Sequence, residues 1–163
     1  MPTPNRNQGR LQPRQAEAAG TAFPSLLWVQ NLGRMDYRKA LEYQEQLVVW
    51  RRQGQIPDTL LLVEHPPVFT IGRGGGWENL RCSQKTLEQE GIQVYEVNRG
   101  GNITYHGPGQ LVGYPIIDLT NQGRDVRGYL RNLEEILIRT LQPYLEPLGL
   151  KPERLPDYTG VWV

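Results

Sequence analysis

Arg99-Gly-Gly-Asn-Ile-Thr-Tyr-His-Gly-Pro-Gly-Gln110 is the stretch on which the reading of this chain turns. Four of its twelve residues are glycine and one is proline, too many for a strand or helix interior. Glycine takes a positive φ without strain and lets another molecule approach the backbone closely. Apolar runs on either side, Ile92 to Val97 and Leu111 to Leu119, read as strands. The stretch is therefore expected to be a tight, ligand-facing hairpin rather than a linker. Its polar groups, on Arg99, Asn102, Thr104, Tyr105, His106 and Gln110, are single and varied, as in a site. Alternation puts Asn102, Thr104 and His106 on one face and Ile103 and Tyr105 on the other.

Around this stretch the chain has 163 residues, enough for one domain with a real core. Its 38% hydrophobic and 21% charged residues are those of an ordinary soluble globular protein. No apolar run approaches the roughly 18 residues of a membrane span. One cysteine, Cys82, excludes an internal disulfide framework and fits a reducing, cytoplasmic setting. The net charge of +1 gives no reason to expect nucleic acid. Residues 1–24 are rich in Pro, Gln, Arg, Asn, Ala and Gly and lack apolar periodicity, so they read as a disordered extension. They hold no secretory h-region. Their three arginines against one glutamate resemble, weakly, an organelle transit peptide.

From residue 25 onward, Ser25-Leu-Leu-Trp-Val-Gln30 reads as a strand. Asp36 caps a helix whose Tyr37, Ala40, Leu41, Gln44, Leu47 and Val48 recur at helical spacing, with Gly54 to end it. Asp58 to Glu64 is a short, strongly apolar strand, broken by His65-Pro-Pro67. Val68 to Ile71 starts another and runs into Gly72-Arg-Gly-Gly-Gly76. Ser83 to Glu90 reads as a short helix with Gly91 as terminator. Leu111 to Leu119 is apolar on both faces, as in a covered central strand. Pro115 argues instead for an edge or a bulge. Asp125 caps the longest helix, which Pro143 should bend or end. Thr159 to Val163 begins a further strand. The whole is expected to be an α+β sandwich, a mixed sheet packed with helices.

Several chemistries can be weighed on these residues. His65, Cys82 and His106 lack ligand spacing, so no metal is expected. Gly72 to Gly76 lacks the Gly-Lys-Ser/Thr ending of a phosphate-binding loop, and reads as a flexible loop. Cys82 is the only thiol. Arg81 and Lys85 flank it before a helix start, which would favour a thiolate, but the plainer reading is a half-buried cysteine. His106 is a candidate general base or orienting donor. Arg99 could pair with a carboxylate or stack on a ring.

The stretch at 99–110 resembles the signature of the octanoyltransferases of lipoate biosynthesis, the lipoate-protein ligase B family. Glu64-His-Pro-Pro-Val-Phe-Thr-Ile-Gly72, Gly123 to Glu134 and Tyr158-Thr-Gly-Val-Trp-Val163 agree with it, so the resemblance spans roughly residues 26–163. It implies the fold of biotin and lipoate ligase catalytic domains over 25–163. It also implies transfer of octanoyl from acyl carrier protein to a lysine of lipoyl domains, including those of 2-oxoacid dehydrogenases and the glycine cleavage H protein. The acyl group passes through a cysteine thioester, so no ATP and no cofactor are required. Carried over by position, the substrate-binding segment is Arg99, Gly100, Gly101, Asn102, Ile103, Thr104, Tyr105 and His106. Ile103, Tyr105, Val112, Tyr114 and Ile116 are candidate walls for the acyl chain.

The family's lysine and Pro-Cys-Gly cysteine follow the strand that Gly160 begins. None of Lys39, Lys85, Lys151 or Cys82 matches them. The chain is therefore expected to be a C-terminally truncated form, lacking catalytic residues and inactive alone. Two alternatives stand beside this reading. Gly72-Arg-Gly faintly suggests an ATP-dependent lipoate or biotin ligase. A non-catalytic remnant that holds an acyl chain is the other.

Overall fold

The structure, a computed structural model, describes residues 26–163; the expectation of disorder over residues 1–24 lies outside them. The chain divides into two compact units, Met1–Ile117 and Asp118–Val163.

The first unit begins with β1 (Leu27–Arg34), α1 (Tyr37–Arg52) and β2 (Asp58–Glu64). Asp36 starts α1 by accepting the Lys39 N–H at 3.2 Å, and Gly54, at φ +68°, lies just past its end. β1 and β2 run parallel, and β6 (Val112–Ile116) lies antiparallel on the other side of β2. The sheet order is β1-β2-β6. β2 alternates as its sequence requires, with Thr59, Leu61 and Val63 fully buried. Leu61 meets Leu47 of α1, Ile56 and Ile116 in the core, and Trp28, Leu32, Tyr43, Val48, Trp50 and Tyr114 close around it.

A second sheet follows the Pro66-Pro67 break. β3 (Val68–Ile71) is its central strand, flanked by parallel β4 (Gln93–Glu96) and antiparallel β5 (Ile103–His106). The crossover from β3 to β4 carries α2 (Gln84–Glu90). Ser83 caps it and Gly91, at φ +65°, ends it.

The expected hairpin at 99–110 is not formed. β4 and β5 are separated by β3, and β5 and β6 belong to different sheets. Period-2 alternation identifies a strand but not its partner, and the six residues between β4 and β5 are enough to cross the central strand. The conflict over Pro115 resolves in favour of an edge. β6 pairs with β2 alone, so the missing N–H costs no second ladder. Double-sided apolarity arises there because Ile116 faces the core while Pro115 lies exposed.

The second unit is built on α3 (Val126–Leu145), capped by Asp125, whose Oδ1 accepts the Gly128 N–H at 2.9 Å. Pro143 does not stop it; the helix runs two residues further before a 3₁₀ turn at Glu146–Leu148. Thr159 to Val163 forms no full strand, only a bridge between Glu153 and Trp162. Glu134, 3% exposed, ties the segment to the helix. Its Oε1 accepts the Gly160 N–H at 2.9 Å, and its Oε2 accepts Arg131 at 2.8 Å and Arg154 at 3.1 Å. The Gly160 amide and the Arg131 guanidinium hold this carboxyl below the usual carboxylate range. Glu134→Leu should therefore release Gly160 and Trp162, seen as faster amide exchange at both with α3 retained. Unchanged exchange would show that the Glu153–Trp162 bridge holds without the carboxylate.

Candidate functional site

The residues singled out from sequence lie on β5 and the loop before it. That loop is locked to the Gly72–Gly76 loop backbone to backbone. The N–H groups of Gly72, Arg73 and Gly74 donate to the carbonyls of Asn102, Arg99 and Gly101 at 2.8–2.9 Å. A Cβ on Gly72 would lie 2.6 Å from the Gly101 carbonyl oxygen, so only glycine permits this approach. The flexible-loop expectation for 72–76 is thus corrected. Gly72, Gly74 and Gly75 lack side chains where the other loop occupies their place.

Arg99 makes neither the carboxylate pair nor the ring contact expected of it among the described hydrogen bonds. It reaches across the central strand instead. Nη2 donates to the carbonyl and hydroxyl of Thr70 at 2.8 and 2.9 Å and to Thr104 Oγ1 at 2.9 Å; Nη1 donates to the Gly100 carbonyl at 2.9 Å. Thr70 and Thr104 are cross-strand partners, so one guanidinium ties β4's outgoing loop to β3 and β5 together. The planar fork suits this, and an ammonium would not.

His106 ends β5. The turn that follows has Pro108 second and Gly109 third, with Gly109 at φ +84° and Gln110 N–H bonded to the Gly107 carbonyl at 3.1 Å. These are the marks of a type II turn. It returns Gln110 to His106, whose Nδ1 donates to Gln110 Oε1 at 2.6 Å. Glu64 pins the turn by accepting the Gly109 N–H at 3.2 Å. His106 Nε2 is left as the ring's acceptor nitrogen. Thr104 and His106 share the inner face, as expected, while Tyr105 packs on Phe69 on the other face and is 44% exposed.

Sequence reasoning gave no role to His65, which sits at the centre. It is fully buried. Its Nδ1 contacts the Met35 carbonyl at 2.8 Å, and its Nε2 contacts the Tyr114 hydroxyl at 2.9 Å. A carbonyl only accepts, so Nδ1 carries the proton and Nε2 accepts from Tyr114. Tyr37 stands edge-on to His65 at 5.3 Å and stacks on His106 and Tyr95 at 6.3 and 5.3 Å. The two histidine rings meet edge to face at 5.7 Å. Burial pushes the His65 pKa down, and His106 adds to this; the Met35 carbonyl and Asp36 oppose it. Burial likewise raises Tyr37 and Tyr114 above the ordinary phenol range. The available signal was a histidine directly after a strand with a fully buried face, followed by two prolines.

Of the candidate acyl walls, Tyr114 and Ile116 pack in the first sheet's core, whereas Ile103 and Tyr105 lie on the second sheet. A cleft of about 460 Å³ is lined by Trp77, Gln84, Leu87, Glu88, Ile92 and Val94, away from residues 99–106. Cys82 is partly exposed and immediately precedes the cap of α2. No group of His, Cys, Asp and Glu suited to a metal occurs among the described residues. No helix there is long and apolar enough to cross a membrane.

Two mixed three-stranded sheets, with a glycine-built loop pair at one end of β3 and β5 and a histidine–tyrosine cluster at the other, make an α+β architecture. The chain belongs to the lipoyl protein ligase A/B catalytic domain family, whose model matches residues 36–163. It is 53% identical over 135 residues to an octanoyltransferase of Solibacter usitatus, covering 83% of this chain and 60% of that protein. An octanoyltransferase of Geobacter metallireducens is 48% identical over 136 residues, with 83% and 59% covered. The chain thus spans about 60% of the length of these relatives. Among solved structures, lipoate-protein ligase A bound with ATP matches with a TM-score of 0.55 at 22% identity, covering 84% of this chain and 52% of that one. A bipartite lipoate protein ligase from Thermoplasma acidophilum matches at 0.53 and 17%, with 79% and 48% covered. These likenesses establish the ligase-type fold.

Arg99→Lys should destabilise the first unit by about 1–3 kcal/mol, because the Thr70 oxygens, in a residue only 1% exposed, lose their donor; urea unfolding measures it. His65 adds a pH dependence. An unfolded histidine charges near pH 6.5, and the folded one charges lower. Its contribution to stability is full above about pH 6.5 and is lost as the pH falls through the folded value. The wild-type urea midpoint should drop between about pH 7.5 and 5.5, and His65→Gln should flatten that slope.

Proposed function

We propose that this chain supplies the acyl-binding half of an octanoyltransferase of lipoate biosynthesis, with octanoyl-acyl carrier protein as donor and a lipoyl-domain lysine as acceptor. The observation that carries this reading is the identity to proteins named octanoyltransferase, 41–53% over most of the chain. It includes the Arg99–Gln110 segment that the fold presents as a braced loop and strand. The acceptors would be the lipoyl domains of 2-oxoacid dehydrogenases and the glycine cleavage H protein, in the cytoplasm.

In this reaction a thiolate attacks the donor's thioester carbonyl and the carrier thiol leaves. The acceptor amine then attacks the new thioester and the thiolate leaves. Residues Arg99 to His106 would form the wall beside the acyl group. Burying six methylenes contributes about 5 kcal/mol, at about 0.8 kcal/mol each. The backbone of Gly100 and Gly101 allows the close approach, and Arg99 contributes by holding the loop rather than by touching charge. His106 would orient the acyl carbonyl through a bridging water that donates both to Nε2 and to the carbonyl oxygen. The attacking cysteine and its lysine partner lie, by family resemblance, after Val163.

Mixing residues 1–163 with octanoyl-acyl carrier protein should give no covalent octanoyl adduct by intact mass and no transfer to a lipoyl domain. Extending the chain to its relatives' length should give both. Transfer by residues 1–163 at a rate near that of full-length relatives would overturn this division of roles. ATP-dependent lipoate adenylation by the extended chain, without octanoyl transfer, would favour a ligase.

A further inference from the structure

The buried contacts of His65 point beyond the acyl wall itself. Met35 is held in place by its own N–H, bonded to the Glu64 carbonyl at 2.9 Å. Its carbonyl therefore offers His65 Nδ1 a fixed acceptor. On the opposite side Tyr114 donates to Nε2. The Gln44 side chain bears on the Tyr114 hydroxyl electrostatically, and its Nε2 donates to the Ala40 carbonyl at 3.2 Å. The series Tyr114, His65, Met35 joins β6, the β2–β3 corner and the β1–α1 corner. Its effect is to fix ring positions, and the rings it fixes carry Tyr37 and His106 on their edges.

We propose that His65 is a positioning residue of the acyl site: an imidazole that carries its proton on Nδ1 and, with Tyr114, sets the ring of His106 at the end of β5. This rests on the reading of Arg99–His106 as the acyl wall only where activity is concerned; the geometric part stands without it. Charging His65 would make Nε2 a donor, and the Tyr114 hydroxyl would then have to turn from donor to acceptor. The groups around the ring are Tyr37 and Asp36 at the start of α1, His106 on β5, Tyr114 on β6 and the Met35 carbonyl. Asp36 alone among them carries a negative charge that would favour the cation, and its Oδ1 already accepts the Lys39 amide. Burial pushes in the neutral direction. His65 thus presents its ring edge to His106 at 5.7 Å.

Long-range ¹H–¹⁵N spectra of the 163-residue chain test this directly. The expected result is a single His65 tautomer at neutral pH, protonated on Nδ1. A proton on Nε2 at neutral pH overturns the proposal. Tyr114→Phe should split or broaden the His65 tautomer signal and move the His106 ring resonances; unmoved His106 resonances overturn the coupling. Should that variant not fold, His106→Gln at the more exposed end of the pair should move the His65 ring signals, and unchanged signals likewise overturn the coupling. In a chain of the relatives' length, Tyr114→Phe should lower kcat for octanoyl transfer about tenfold with KM within about twofold. A KM-only effect would reduce the pair to a binding brace and overturn its role in positioning the reacting group. Absence of transfer in the unmodified long chain would instead overturn the octanoyltransferase reading, and the spectra would still decide the geometry.

Discussion

A neutral imidazole carries one donor and one acceptor, and a buried one is tolerated only where both are met. His65 is fully buried and meets both conditions with groups from far apart in the chain, Met35 and Tyr114. Much of the first unit follows from that constraint. The β1–α1 corner must bring a carbonyl to one side and β6 must bring a phenol to the other. Two sheets that share no ladder therefore meet at one ring. Pro66 and Pro67 end β2 directly after the histidine, so the chain leaves for the second sheet at the point where the ring is held. Tyr37, as the first residue of α1, then fills the space between His65, Tyr95 and His106.

The glycine-rich segments serve this frame in a different way. Gly72–Gly76 and Arg99–Asn102 bring backbone against backbone, and the Arg99 guanidinium closes the assembly over Thr70 and Thr104. In the proposed octanoyltransferase reading, the wall beside the acyl group would therefore be largely main chain, with the segment's single charge satisfied internally. In the second unit a comparable device joins the entry of α3 to the Tyr158–Val163 segment. One carboxylate, Glu134, receives an amide and two guanidinium groups. Two motif segments separated in sequence are thereby one structural feature.

What the sequence determined by itself was local. Asp36, Ser83 and Asp125 each cap the helix they precede, and Gly54 and Gly91 lie where the chain leaves one. The alternation at Thr104 and His106 gave the correct face, and the motif at 99–110 led to the correct family. These features depend on neighbours three or four residues away, or on a pattern of residues, and both are written in order along the chain. Tertiary structure alone decided the partners. It inserted β3 between β4 and β5, turned a presumed hairpin into a crossing, and made β6 an edge that accepts Pro115. It closed the Gly72–Gly76 loop with Arg99–Asn102 and placed His65 beside Tyr114, 49 residues on. The physical reason is the range of the forces concerned. Propensity, capping and turn geometry act within a turn of chain. Burial of an imidazole, or of a glycine against another loop's carbonyl, depends on which distant segments arrive, and single-residue chemistry does not encode that.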